Sequence, residues 1–87
     1  MSLFKAFPKR RKIMKTKIML NTPQDVEEFV NAASGCDGEV DLTGGVVYID
    51  GKSFLGVLTM GLKRELNVHT TELNPRFKEV VKKYQIA

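Results

Sequence analysis

The chain has no tryptophan, one cysteine, one histidine and three prolines in 87 residues. A single cysteine, Cys36, excludes an internal disulfide. It lies in a Gly-Cys-Asp-Gly turn with no base beside it, and thiol chemistry needs an activating environment, so it reads as an ordinary free thiol. A single histidine, His69, excludes a histidine pair, and no metal-ligating residues cluster near it in sequence. No apolar run approaches the roughly 18 residues of a membrane span. Basic residues open the chain, but no apolar stretch follows them as a secretory signal requires. These absences together predict a cytoplasmic protein. Eighty-seven residues bound it to one domain with a modest core.

Acidic residues are missing from the first 24 positions. That segment carries Lys5, Lys9, Arg10, Arg11, Lys12, Lys15 and Lys17, whereas residues 25–87 carry ten acidic and seven basic residues. The basic character behind the formal charge of +4 therefore belongs to an N-terminal arm, residues 1–14, and not to the domain at 15–87, of which residues 25–87 are acidic overall. The composition predicts a disordered, solvated arm or an extension outside the fold. A basic arm can touch nucleic acid or an anionic membrane surface. The domain itself offers no basic stripe with interleaved aromatics, which argues against a nucleic-acid-binding protein.

What is present is clear periodicity. Lys15 to Asn21 alternates, with Thr16, Ile18 and Leu20 on one face, as in a half-buried strand. Thr22-Pro23-Gln24-Asp25 opens a helix: threonine at the N-cap, proline at the first helical position, a carboxylate near the free N–H groups. Val26, Phe29, Val30 and Ala33 form its apolar stripe, and Ser34-Gly35 ends it. Glu39 to Thr43 alternates again. Gly44-Gly45 reads as a two-residue hairpin turn with positive φ at both positions, and Val46 to Ile49 returns as the partner strand. After Asp50-Gly51, Lys52 or Ser53 starts a short helix. Leu66 to Thr71 is a fourth strand, with Leu66, Val68 and Thr70 on one face. Asn74-Pro75 opens a last helix, striped by Phe77, Val80, Val81 and Tyr84. The order βαββαβα predicts an α+β open-faced sandwich: a four-stranded antiparallel sheet with three helices on one face.

The segment Gly51-Lys-Ser-Phe-Leu-Gly-Val-Leu-Thr-Met-Gly61 resembles the regulatory-serine helix of HPr, the phosphocarrier family of the bacterial sugar phosphotransferase system. There the helix typically reads Lys-Ser-(Ile/Leu)-Met-Gly-Val-Met-Ser-Leu-Gly. The resemblance extends without a gap from Thr22 to Thr71 and is thin outside Gly51–Gly61. The loop before the first helix is a few residues short, and so is the link to the last helix. In that register Thr22 stands where the family has its phosphoryl-accepting histidine, and Gln24 replaces the phosphate-binding arginine. A threonine phosphoester is too stable to pass its phosphoryl group on, so carrier activity is lost. The resemblance thus implies a divergent, non-catalytic member needing no cofactor or metal, similar to the catabolite-repression homologue Crh.

It further implies that Ser53 is the regulatory phosphorylation site, with Lys52 as a positive neighbour, and that Phe54, Leu55 and Leu58 form a protein-binding patch. Val57, Met60 and Leu62 are expected to point to the sheet. The implied partners are an HPr kinase/phosphorylase and a transcriptional regulator. The short first loop favours a strand-swapped homodimer. Ser53 equally reads as a simple N-cap. Two alternatives stand beside this reading: a phosphocarrier with an atypical acceptor such as His69, and a nucleic-acid-associated protein acting through the arm. His69 itself reads as a solvent-facing strand residue. The spacing Gly45-(five residues)-Gly51-Lys52-Ser53 is not a P-loop, which has four intervening residues and no strand between its glycines.

Overall fold

The computed structural model describes residues 14–70 and 74–86; the basic arm's first thirteen residues and residues 71–73 lie outside it, and with them the expectations for the arm. The elements run β1 (Met14–Met19), α1 (Pro23–Ser34), β2 (Val40–Gly44), β3 (Val47–Asp50), α2 (Phe54–Met60), β4 (Glu65–Thr70) and α3 (Pro75–Tyr84). The strands form one sheet in the order β1-β4-β2-β3, every neighbouring pair antiparallel. This is the α+β, βαββαβα architecture that the periodicity predicts. No helix among the described residues is long and apolar enough to cross a membrane.

The alternation of each strand decides the layering, because successive side chains point to opposite faces. Ile18, Val40, Leu42, Ile49, Leu66 and Val68 bury on one face with Phe29, Val30, Val57, Phe77 and Val81 from the helices. Lys15, Lys17, Asn67, His69, Thr43 and Tyr48 take the opposite face, away from the three described helices. Phe29 and Phe77, both wholly buried, meet edge to face with centroids 5.4 Å apart and join α1 to α3.

The turn after β2 differs from expectation. Gly44 pairs with Val47 inside the ladder, so the two-residue turn is Gly45-Val46. Within this turn only Gly45 has positive φ, at 63°, which matches a turn needing that torsion at its first position alone. Gly44 serves a different purpose: a Cβ there would sit 2.9 Å from the Glu65 carbonyl oxygen on β4.

A polar lock ties α3 to the start of α1. The Tyr84 hydroxyl lies 2.5 Å from Glu28 Oε1 and 3.3 Å from Asp25 Oδ1, and Lys83 Nζ bonds Glu28 at 2.9 Å. Hydrogen bonds from Tyr84 and Lys83 hold the Glu28 carboxyl below its ordinary range. At Asp25, desolvation alone would raise the pKa, but the bonds from Asn21, Thr22 and Tyr84 together outweigh it and lower the value. Depressed carboxylates stabilise the fold above their unfolded values, 3.8 for aspartate and 4.5 for glutamate, and that stability is lost as pH falls through the lower folded values. Tyr84→Phe is expected to lower stability at neutral pH by about 1 kcal/mol and to flatten the decline below pH 4.5. Urea melts of both chains across that range check this; an unchanged acid limb would contradict it.

Candidate functional site

Ser53 is positioned by the hairpin before it. Gly51 N–H donates to the Val40 carbonyl at 2.7 Å, and Ser53 N–H donates to the Asp50 carbonyl at 3.1 Å. A Cβ on Gly51 would lie 2.7 Å from Val40 Cγ1 and 2.8 Å from its oxygen, so only glycine lets the chain pass so close to β2. Ser53 then adopts extended backbone and caps α2, its Oγ accepting from Gly56 N–H at 3.1 Å. Such a cap contributes about 1 kcal/mol. The side chain is half-buried.

Lys52 has a role that local sequence does not reveal. Its ammonium donates to the Cys36 carbonyl at 2.9 Å, and its backbone N–H donates to Asp50 Oδ1 at 2.9 Å. The lysine thus ties the loop after α1 to the turn before α2, sixteen residues along the chain. Both charges of the Asp50-Gly51-Lys52 turn sit next to Ser53 in the chain, one acidic and one basic.

The apolar patch is composed differently from expectation. Among the described α2 residues Phe54, Leu55 and Met60 are the exposed apolar ones, with Leu55 67% accessible. Leu58 packs partly against the core, as does Leu62 beyond the helix. Met60 is expected on the sheet side and lies outside. At 100° per residue Met60 and Leu58 fall on opposite sides of Val57. α2 packs on α1 and β3 with Val57 wholly buried and Leu58 partly so, and this leaves Met60 outside.

The N-terminus of α1 holds the two positions that the resemblance marks as lost. Thr22 is its N-cap, with Oγ1 accepting from Asp25 N–H at 3.1 Å. Asp25 Oδ2 in return accepts from Asn21 and Thr22 N–H groups at 3.0 and 3.2 Å. This reciprocal capping box places a carboxylate at the positive end of the helix dipole. The place where an anion would be welcome is already supplied from within the chain. Gln24 is exposed there.

His69 lies on the open face, opposite Lys15 on β1 and Asp41 on β2, half-buried rather than free in solvent. Its Nε2 is 3.0 Å from Thr43 Oγ1. Desolvation, with Lys15 nearby, holds its pKa below the ordinary 6.5, although Asp41 works the other way. Cys36 is buried. Among the described residues no three histidine, cysteine or carboxylate side chains gather as a metal site.

Ser53 caps α2, which carries Phe54, Leu55 and Met60, whereas Thr22 and Gln24 open α1; the two elements touch, and Leu20 just before Thr22 bridges Leu62 just after α2. Element order and sheet order are compatible with the HPr-like arrangement. No protein-family model matches the chain, and neither a curated protein nor a solved structure matches it.

Proposed function

We propose that this chain is a non-catalytic regulatory and interaction protein of HPr-like type, related to the phosphotransferase system and controlled by phosphorylation at Ser53. The observation that carries the reading is the juxtaposition at α2: Ser53 caps the helix, and Phe54 and Leu55, the next two residues, are exposed apolar side chains. An exposed apolar patch beside a modifiable hydroxyl suits a docking surface whose affinity depends on charge. A phosphate on Ser53 would meet the free N–H groups of the first turn, while the Asp50 carboxylate opposes it and Lys52 favours it. The partners this reading implies are an HPr kinase/phosphorylase and a transcriptional regulator that reads the phosphorylated form. Exchange of β1 between two chains belongs to the same reading, because only Leu20, Asn21 and Thr22 link β1 to α1.

Loss of carrier function is supported by the capping box, which occupies Thr22 and fills the helix end with the Asp25 carboxylate. A half-exposed His69 on the open face favours a second reading, a carrier with a displaced acceptor. Incubation with phosphoenolpyruvate and Enzyme I separates the two. The expected result is no mass increase; an acid-labile phosphoryl group on His69 would establish the second reading instead.

A further inference from the structure

The sheet has two edges, and the fold treats them differently. At β1 the chain after α3 returns to the outer edge: Gln85 bridges Ile18, and Ile86 N–H donates to the Lys17 carbonyl at 3.0 Å. β1 also carries Lys15 and Lys17, and edge lysines discourage strand addition. At the other edge, among the described residues no segment pairs with the outer side of β3. The edge strand Val47–Asp50 contains no lysine or proline. It displays Tyr48 at 67%, and the turn residue Val46 before it is fully exposed at 101%.

The hydrogen-bond phase of the hairpin shows which groups face outward. Gly44 and Val47 close the two-residue turn, so bonded pairs recur at Leu42 with Ile49 and Val40 with Gly51. The Gly51 to Val40 bond and the Asp50 carbonyl's engagement with Ser53 agree with that phase. Tyr48 N–H and C=O therefore point away from β2.

We propose that a second copy of this chain pairs with this edge, β3 against β3 in antiparallel register about a twofold axis through Tyr48, joining two sheets into one of eight strands. The register is self-complementary. Tyr48 exchanges both backbone bonds with Tyr48 of the second copy, and their rings lie side by side on the open face. Val47 meets Ile49 of the second copy on the helix-bearing face, extending the core across the junction. Val46 stands opposite Asp50 of the second copy, so the two Asp50 carboxylates are four residues apart along the strands rather than opposed. A twofold contact uses one patch on both subunits, which this run satisfies. One short strand pair buries little area, so the dimer is weak and forms with rising concentration. This contact leaves β1 in place, and it adjoins Ser53, whose N–H holds the Asp50 carbonyl at the end of the edge strand.

Sedimentation equilibrium of the full chain from low micromolar to about 1 mM is the test, since that range spans weak association. The expected result is a reversible monomer–dimer equilibrium in the unmodified chain and a monomer in Val46→Lys/Tyr48→Lys with unchanged far-UV circular dichroism. Hydrogen exchange at the Tyr48 amide of the unmodified chain, slowing as concentration rises, supplies the same answer even if the double variant unfolds. A monomer throughout, exchange independent of concentration, or a dimer that survives in the folded double variant, as a strand-swapped dimer would, overturns the proposal.

Discussion

Phe77→Ala is expected to remove about 3–5 kcal/mol of stability, the usual cost of emptying a buried phenylalanine site. Phe77 is wholly buried on α3 and meets Phe29 of α1 edge to face at 5.4 Å. Truncation leaves a cavity between two helices and the sheet, and it strips Phe29 of its aromatic partner. Single domains are stable by about 5–15 kcal/mol in total, so the variant should lie near the edge of unfolding at 25 °C. Urea denaturation measures the difference. Leu55→Ala is the control: Leu55 is largely exposed, and surface substitutions away from special features change stability by about 0.5 kcal/mol or less. Equal losses in the two variants would contradict the core assignment.

Gly51→Ala should be the most damaging single methyl in the Ser53 region. Its Cβ would lie 2.7 Å from Val40 Cγ1 and 2.8 Å from the Val40 carbonyl oxygen. The oxygen is backbone and already accepts the Gly51 N–H, so relief requires the Asp50-Gly51-Lys52 turn to move. Overpacking of this kind costs about 1–3 kcal/mol. Because the same turn delivers Ser53 to the cap of α2, amide chemical shifts at Ser53 and Gly56 should move with the loss of stability. A variant with parental stability and unmoved shifts would show that the turn is not held against β2.

The parts of the fold legible in the sequence are those whose cause is local. Thr22-Pro23-Gln24-Asp25 announced a capped helix because cap, proline and carboxylate act within one turn. The stripes Val26-Phe29-Val30 and Phe77-Val80-Val81 are set by helical period, and the strand faces by alternation; both agree with the observed burial. Long-range pairings were not legible. Tyr84 bonds carboxylates 56 and 59 positions away, and Lys52 reaches the Cys36 carbonyl. The hairpin turn slipped by one residue because adjacent glycines suit either position. What agrees with it is Gly44's close approach to β4, a strand that begins only at Glu65. Met60 turned outward for a related reason: which side of a seven-residue helix is buried is set by what it packs on, here α1 and β3.

At the candidate site the capping role of Ser53 was legible from its place before an apolar helical run, and exposure of Phe54 and Leu55 from the surplus of apolar residues on a short helix. The substitution of Met60 for Leu58 in the exposed set was not. The Asp25 carboxylate at the α1 N-terminus was legible, because it follows the Thr22 cap within one turn.

The measurement that tests the account most directly is intact mass after incubation with ATP and an HPr kinase, with Ser53→Ala alongside. One phosphate added to the unmodified chain and none to the variant is the predicted result. No addition to either chain, or equal addition to both, would contradict regulation at Ser53 and leave that residue as the cap of α2.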